Sequence, residues 1–280
     1  MKTVAIQGIN GAYHDIAIRS YFENEDVNLI CCNTFKQVFD AVKNAEDTLG
    51  IIAIENTIAG SLMQNYELLI SNELFVFGEI KLRISHCLAA LGNQKIDDIK
   101  EVSSHPIALR QCEDFLSTRN WLVTESEDTA MSAKEISNNK IAGRAAICST
   151  LAAEIYGLNI IAKGIETNKH NFTRFLLLCD KAQISRFCKV NNLRKASLVF
   201  TLPHESGSLS QILSILSYYK NNLTKLQSSP IIGREWEYKF FIDLTYDDYA
   251  KYHQSLDAIS PLTIDLKILG EYQIGKQIKQ

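Results

Sequence analysis

The sequence predicts an α/β fold in two successive parts, a larger one with a mainly parallel sheet and a smaller βαββαβ unit. Three observations predict it. Short apolar runs alternate with helix-like stretches and short turns through about residue 181. The pattern breaks over 182–195, which is polar, charged and without a clear period, and reads as a linker. Beyond it, strand, helix, strand, strand, helix and strand follow one another through 196–280.

The elements are justified in order. Residues 4–7 form a short apolar strand, 8–11 a turn and 12–22 a helix. A glycine turn between strand and helix aims backbone N–H groups at a cleft edge, which favours anions. Gly-Ile-Asn-Gly is, however, neither a P-loop nor a dinucleotide fingerprint. Residues 29–32 are a strand and 35–43 a helix. The run Ile51-Ile52-Ala53-Ile54 is a buried strand ending in Glu55 and Asn56 before a glycine turn and a helix over 62–71. Polar residues at the carboxyl end of such a strand bind ligands in open α/β sheets; they serve equally to cap the following turn. Strands over 75–84 and 86–91 lead into a second lobe. Ser104-His105-Pro106 ends another strand, with Ser104 or His105 capping a helix over 107–117.

Residues 121–125 are a strand, Asp128-Thr129-Ala130 opens a capped helix, 142–147 is a strand of small apolar residues, and a helix over 149–156 stops at Gly157. The chain crosses near residue 80 and returns near 162, which predicts two lobes around a cleft. The return strand opens with Asn171-Phe172-Thr173-Arg174-Phe175 and continues into three leucines. A hydroxyl beside a rigid cationic fork suits a small anion; ordinary polar groups at a strand mouth fit the same pattern. In the C-terminal part, 196–202, 222–228, 237–245 and 263–269 are strands, and 208–219 and 248–256 helices.

Composition bounds the function. With 280 residues and 46% hydrophobic side chains, two domains with sizeable cores are expected. A net charge of −3 gives no reason to expect nucleic acid or an anionic membrane as partner. No stretch approaches a membrane span, and the N-terminus runs straight into a strand rather than a signal peptide. The seven cysteines are odd in number and include no C-x-x-C pair. Free thiols in a reducing cytoplasm are expected, with no disulfide framework and no metal.

Taken together, these segments resemble monofunctional prephenate dehydratases over nearly the full length. The match runs through Gly8 to His14, Glu55-Asn56-Thr57 to Gly60, Ser104 to Cys112, Asp128-Thr129-Ala130, Tyr156-Gly157-Leu158 and Asn171 to Phe175. Each piece is weak; their joint order is specific. No chorismate mutase segment precedes residue 1, hence the monofunctional form. The resemblance implies a catalytic domain over 1–181, two-lobed like the type II periplasmic binding proteins, with lobe one at about 1–80 and 162–181 and lobe two at about 81–161. It implies a linker over 182–195 and an ACT regulatory domain over 196–280.

It further implies that catalysis depends most on Thr173, and that Glu55, Asn56, Ser104, Gln111, Cys112, Arg174 and Phe175 lie at or near the cleft. Phenylalanine would be the effector, bound between paired ACT units of a homodimer or homotetramer, with Leu202, Gly207, Ser208, Leu209, Ser228 and Pro230 at that site. Two departures stand out. The family's Glu-Ser-Arg-Pro motif reads Gln227-Ser228-Ser229-Pro230 here, so its charge pair is lost, and His14 stands where serine is common.

The implied reaction needs no cofactor, because aromatisation drives it: prephenate loses carbon dioxide and expels its ring hydroxyl as water. Thr173 would donate to the leaving oxygen, with Glu55 as a competing proton source if burial keeps it protonated. Asn56, Ser104, Gln111, Arg174 and Phe175 would bind substrate, Arg174 and Ser104 anchoring the pyruvyl carboxylate. Arogenate, which carries an ammonium in place of the keto group, is the alternative substrate. A non-catalytic amino-acid sensor is the alternative of a different class.

Overall fold

The computed structural model describes residues 1–23 and 25–279, leaving the side chain of Asn191 aside. The first elements are β1 (Lys2–Gln7), α1 (Tyr13–Tyr21), β2 (Val27–Cys32), α2 (Phe35–Asn44), β3 (Thr48–Asn56), the two-residue β4 (Gly60–Ser61), α3 (Met63–Asn72) and β5 (Phe75–Arg83). Next come β6 (Cys87–Ala90), β7 (Glu101–Ser104), α4 (Pro106–Gln111), α5 (Glu113–Ser117), β8 (Leu122–Glu125), α6 (Thr129–Asn139), β9 (Arg144–Cys148), α7 (Thr150–Ile155), β10 (Asn159–Lys163) and β11 (Phe172–Cys179). The C-terminal part contains α8 (Ile184–Phe187), β12 (Lys195–Thr201), α9 (Ser208–Tyr218), β13 (Asn222–Pro230), β14 (Tyr238–Thr245), α10 (Tyr249–Ile259), β15 (Ile264–Tyr272) and β16 (Gln277–Ile278).

Contacts divide the chain into two units. The first holds Met1–Asn65, Ile80–Phe175 and the residues from Gln277; the second holds Tyr66–Glu79 and Leu176–Lys276. Relative to the sequence expectation, 66–79 groups with the C-terminal part. The cause is packing inside that unit: the Tyr66 ring lies 4.7 Å from Phe241, and Val76 pairs with Gly270 of β15.

The first unit contains two sheets. One runs β2-β1-β3-β11-β5, with β1 parallel to both neighbours. The other runs β10-β6-β9-β7-β8 and is mixed, antiparallel at β10-β6-β9 and parallel at β9-β7-β8. The second sheet is packed with small residues: Ala89, Ala146 and Cys148 are buried against Ala130, Ala133, Ala152 and Ala153 of α6 and α7. That economy of volume lets the turn after β1 come close. A Cβ on Gly11, whose φ is +88°, would lie 2.7 Å from the Ala152 Cα. Ser149 Oγ fastens the same turn, donating to the Gly11 carbonyl at 2.6 Å and accepting from Ala152 N at 2.9 Å.

The expected helix over 107–117 is two helices. Cys112 leaves helical geometry, at φ −109° and ψ 18°. The Gln111 carbonyl at the break accepts Thr167 N–H from a distant segment at 2.8 Å, so it is turned out of the helical ladder.

In the second unit β12, α9, β13, β14, α10 and β15 give the expected βαββαβ order, in a sheet running β13-β14-β12-β15. One face is buried under the helices, where Leu198, Phe200, Ile242 and Leu244 meet Ile212, Leu216, Tyr252 and Leu256. The segment read as a linker carries α8 and short 3-10 turns; Leu193 is buried, and Phe187 stacks on Phe77 at 4.4 Å. Among the described residues no helix is long and apolar enough to cross a membrane.

The second unit buries an ion pair. Lys195 Nζ lies 2.9 and 2.8 Å from the Glu79 carboxylate oxygens, and Gly275 N donates to the same carboxylate at 3.0 Å. Lys195→Met would take the Lys195 cation away from the buried Glu79 carboxylate and should destabilise the protein by about 3–5 kcal/mol. Adding Glu79→Leu should recover most of that. Urea midpoints of the single and double variants check it; equal midpoints would show that the pair is not the cause.

Candidate active site

A cavity of about 580 Å³ lies within the first unit, a size typical of small-molecule sites. From the first sheet and its flanks come Gln7, Tyr13, His14, Asn56, Thr173 and Phe175. From the second come His86, His105, Gln111, Glu127, Asp128 and Thr129.

The geometry is tightest around Asn56. Its Oδ1 accepts from the backbone N–H groups of Ile58 and Ala59, both at 2.9 Å. Two N–H donors at one end fix that end as the oxygen, so the amide orientation is determined. The Nδ2 end then donates toward Asn171 Oδ1 (2.8 Å), Thr173 Oγ (3.0 Å) and the Phe172 carbonyl (3.2 Å). Thr173 thus accepts through its oxygen, and no acceptor for its hydroxyl proton is found among the described residues. Thr173 is only 8% exposed, and that exposure faces the cavity.

Strand alternation sorts the neighbours. Thr173 and Phe175 share one face of β11 and both line the cavity; Arg174 points to the other face, buried, with Nη1 3.9 Å from Glu55 Oε2. Of the residues expected in the cleft, the structure brings Asn56, Gln111, Thr173 and Phe175 to the cavity. Glu55, Ser104, Cys112 and Arg174 are not among its lining residues. Ser104 is fully buried and donates to the Ile147 carbonyl at 2.6 Å, which binds sheet strands rather than a ligand. The Glu55 side chain is 38% exposed, so the burial expected of it is absent. Burial pushes the Cys112 thiol up to about 12, leaving it inert.

Several cavity groups escaped the sequence reading. Tyr13 Oη sits 2.8 Å from both the Ser85 carbonyl and His86 Nδ1, and His86 Nε2 sits 3.0 Å from Gln111 Oε1. The His86 N–H is held by buried Glu166 at 2.9 Å, whose other oxygen pairs with Arg83 at 3.1 Å. His105 does cap α4, accepting from Ile107 N at 3.2 Å. Asp128 caps α6 through Ala130 N and Met131 N, at 2.7 and 3.1 Å. Burial raises its carboxyl above the usual range, against the lowering effect of those bonds. Burial lowers all three cavity histidines, His14 to about 3. The signals were present as Tyr13-His14 after the glycine turn and as Asp128, but each read as local structure. Among the described residues no group of three or more His, Cys, Asp or Glu is placed to hold a metal.

A second cavity, of about 120 Å³, lies in the second unit. Leu202, Ser208 and Leu209 line it with Trp236 and Tyr238; Gly207, Ser228 and Pro230 do not. Beside Ser229, Lys239 Nζ pairs with Glu67 at 2.9 Å, and Ser229 Oγ donates to the same carboxylate at 3.4 Å.

The family model described as prephenate dehydratase matches residues 4–183. The chain belongs to the prephenate dehydratase family. As a dehydratase it is a carbon–oxygen lyase. It is 36% identical over 284 residues to an Arabidopsis thaliana protein named arogenate dehydratase/prephenate dehydratase 2, chloroplastic, covering 97% of this chain and 72% of that one. Among solved structures, one described as GqqA, a novel type of quorum quenching acylase, has a TM-score of 0.86 at 27% identity and covers 97% of this chain and 98% of its own. Prephenate dehydratase from Arthrobacter aurescens in complex with L-Phe has a TM-score of 0.84 at 24% identity, covering 97% and 90%. The fold of this dehydratase is therefore that of a solved relative over almost its whole length.

The buried histidines give stability a pH dependence. Below about 6.5 the unfolded chain protonates His14 and His86, whereas the folded chain resists, for His14 down to about 3. Their contribution is present above the unfolded value and lost as pH falls. Urea midpoints should drop from pH 7 to pH 5, less steeply in His14→Gln. An unchanged slope in that variant would contradict the assignment.

Proposed function

We propose that this chain converts prephenate to phenylpyruvate, carbon dioxide and water. The observation that carries the reading is the Asn56–Thr173 contact: with its oxygen accepting from Asn56 Nδ2 at 3.0 Å, Thr173 can aim its proton only at an acceptor in the cavity. In the reaction the C–C bond to the departing carboxylate breaks, its electrons move through the diene, and the ring C–O bond breaks at the far end. One proton, ultimately from solvent, completes the water. A threonine hydroxyl is too weak an acid to surrender its proton outright, so Thr173 stabilises charge growing on the leaving oxygen, and Asn56 polarises Thr173. Phe175 beside it supplies an apolar wall, which favours a carboxylate that loses its charge.

Arg174 lies on the other face of β11 beside Glu55, which supports seeking the anchor for the remaining carboxylate elsewhere. That role falls to the beginning of α2, where Asn33, Thr34 and Phe35 line the cavity. Its capping box occupies the Asn33, Thr34 and Gln37 N–H groups, which leaves the Phe35 and Lys36 N–H groups of the first turn as the donors for an anion, and the helix dipole adds to their pull. Arogenate is the second reading, favoured by charge: the lining includes Glu127 and Asp128 but neither lysine nor arginine. An acylase reaction with Thr173 as nucleophile, prompted by the word acylase in the GqqA description, fits less well. It would need a base on Thr173, and the group within reach there is the Asn56 donor.

For the second unit we propose an ACT module that binds phenylalanine and pairs with a second copy in a homodimer or homotetramer. The βαββαβ order, the small cavity beside α9 and the position of β13 at the end of its sheet support this. The seven free thiols support a reducing, cytoplasmic setting.

Thr173→Val should lower kcat by about 10²–10⁴-fold with KM little changed. Asn56→Asp, which turns the donor toward Thr173 into an acceptor, should follow the same pattern. Glu55→Gln should lose much less. Near-normal kcat in Thr173→Val would overturn the mechanism. Paired kcat/KM values for prephenate and arogenate decide the substrate, and Glu127→Gln should shift the ratio toward prephenate.

A further inference from the structure

We infer that His14 is a substrate-anchoring residue, a neutral imidazole locked so that its Nδ1–H donates to an oxygen of the substrate's side arm. The inference rests on the proposed dehydratase reading and extends it to a residue with no assigned role.

Three features carry it. First, His14 is 8% exposed and lines the 580 Å³ cavity. Second, its tautomer is fixed. The Ala53 backbone N–H donates to Nε2 at 3.2 Å, so Nε2 holds a lone pair and the single proton of a neutral ring sits on Nδ1. Burial keeps the ring neutral across the working pH range. Third, Nδ1 has no hydrogen-bond partner among the described residues, yet it is not among the sealed, unpartnered polar atoms. Its opening is the cavity.

The ring is also braced. Phe175 meets it edge-on at 4.9 Å and Phe35 at 5.6 Å. Phe175 lies two residues beyond Thr173 on the same strand face, roughly 6.6 Å along β11. With Thr173 on the leaving oxygen, the far end of a six-membered ring reaches toward Phe175 and His14. That end bears the side arm. A neutral donor suits this place: it orients the arm without adding a cation that would favour keeping the departing carboxylate charged.

The test uses two substitutions that divide the imidazole. Gln can reach Ala53 N–H as Nε2 does but offers nothing at the Nδ1 position. Asn places an amide near Nδ1 but does not reach Ala53. With the full chain, His14→Gln should raise KM about 5–20-fold for the preferred substrate, with kcat within about 3-fold and Tm near wild type. His14→Asn should show the smaller KM rise and the larger Tm loss. Unchanged KM in His14→Gln, or a loss confined to kcat, overturns the anchoring role. A nitrogen-15 spectrum gives an independent decision. The His14 ring should be the neutral Nδ1–H form at pH 7, and its Nδ1 signal should move when prephenate or arogenate is added. An Nε2–H form, or an Nδ1 signal unmoved by a substrate that wild type turns over, overturns it as well. Failure of wild type to turn over either substrate would sink the dehydratase reading instead, and it would appear in the control before any variant is compared.

Discussion

The site depends on one amide whose two ends are not interchangeable. Asn56 sits where β3 ends and the chain turns, and two successive N–H groups of that turn claim its oxygen. The nitrogen is left facing the start of β11, where a carbonyl, an amide oxygen and the Thr173 hydroxyl oxygen compete for its two hydrogens. Nothing in Thr173 alone makes it a directed donor, because a hydroxyl can rotate. Accepting from Asn56 removes that freedom and points the remaining proton outward. The turn at 57–60 thus sets the orientation of Asn56, and through it that of the Thr173 hydroxyl.

The second physical constraint is that, among the described residues, no lysine or arginine lines the cavity. A dianion would ordinarily be met by arginine, and Arg174 is one residue from Thr173. Strand alternation sends it to the opposite face, beside Glu55. The cavity holds uncharged donors instead, along with histidines that burial keeps neutral. For a reaction that begins by discharging a carboxylate this is favourable. A cation would stabilise the starting anion more than the transition state, since the charge is leaving, and would raise the barrier. Fixed neutral dipoles discriminate less between the two.

How much of this was legible follows from the range of each interaction. Strand and helix periods are local, so the element order and the βαββαβ unit could be read directly, and Thr173 and Asn56 stood out as polar groups at strand ends, while Gln111 and Phe175 entered through the family resemblance. Arg174 and Ser104 were misplaced for different reasons. Side-chain parity on a strand is fixed by pairing, and the sequence did not say which face met the cavity. Ser104 is consumed by the Ile147 carbonyl, 43 residues away in sequence. His14 and His86 were hidden because their importance lies in partners at long separation, Ala53 and Gln111. The break at Cys112 was invisible for the same reason, since the carbonyl there is paired with Thr167, far away in sequence.

The segment Gln227 to Pro230, compared in the sequence with the family's Glu-Ser-Arg-Pro motif, makes a related point about substitution. Gln227 and Ser229 remove a charge pair from β13, which read as a loss. In the fold, Ser229 and Lys239 both address Glu67, so charge of both signs remains at that place, supplied by α3 and β14. The Lys239–Glu67 pair is partly exposed, at 26% and 41%, and such pairs contribute little to stability. Its significance is therefore positional: it ties α3 to the β13–β14 hairpin through side chains that solvent can reach. A pair sealed like Lys195–Glu79, by contrast, is closed to solvent. A motif read along one strand cannot show this, because Glu67 and Lys239 lie on two other elements.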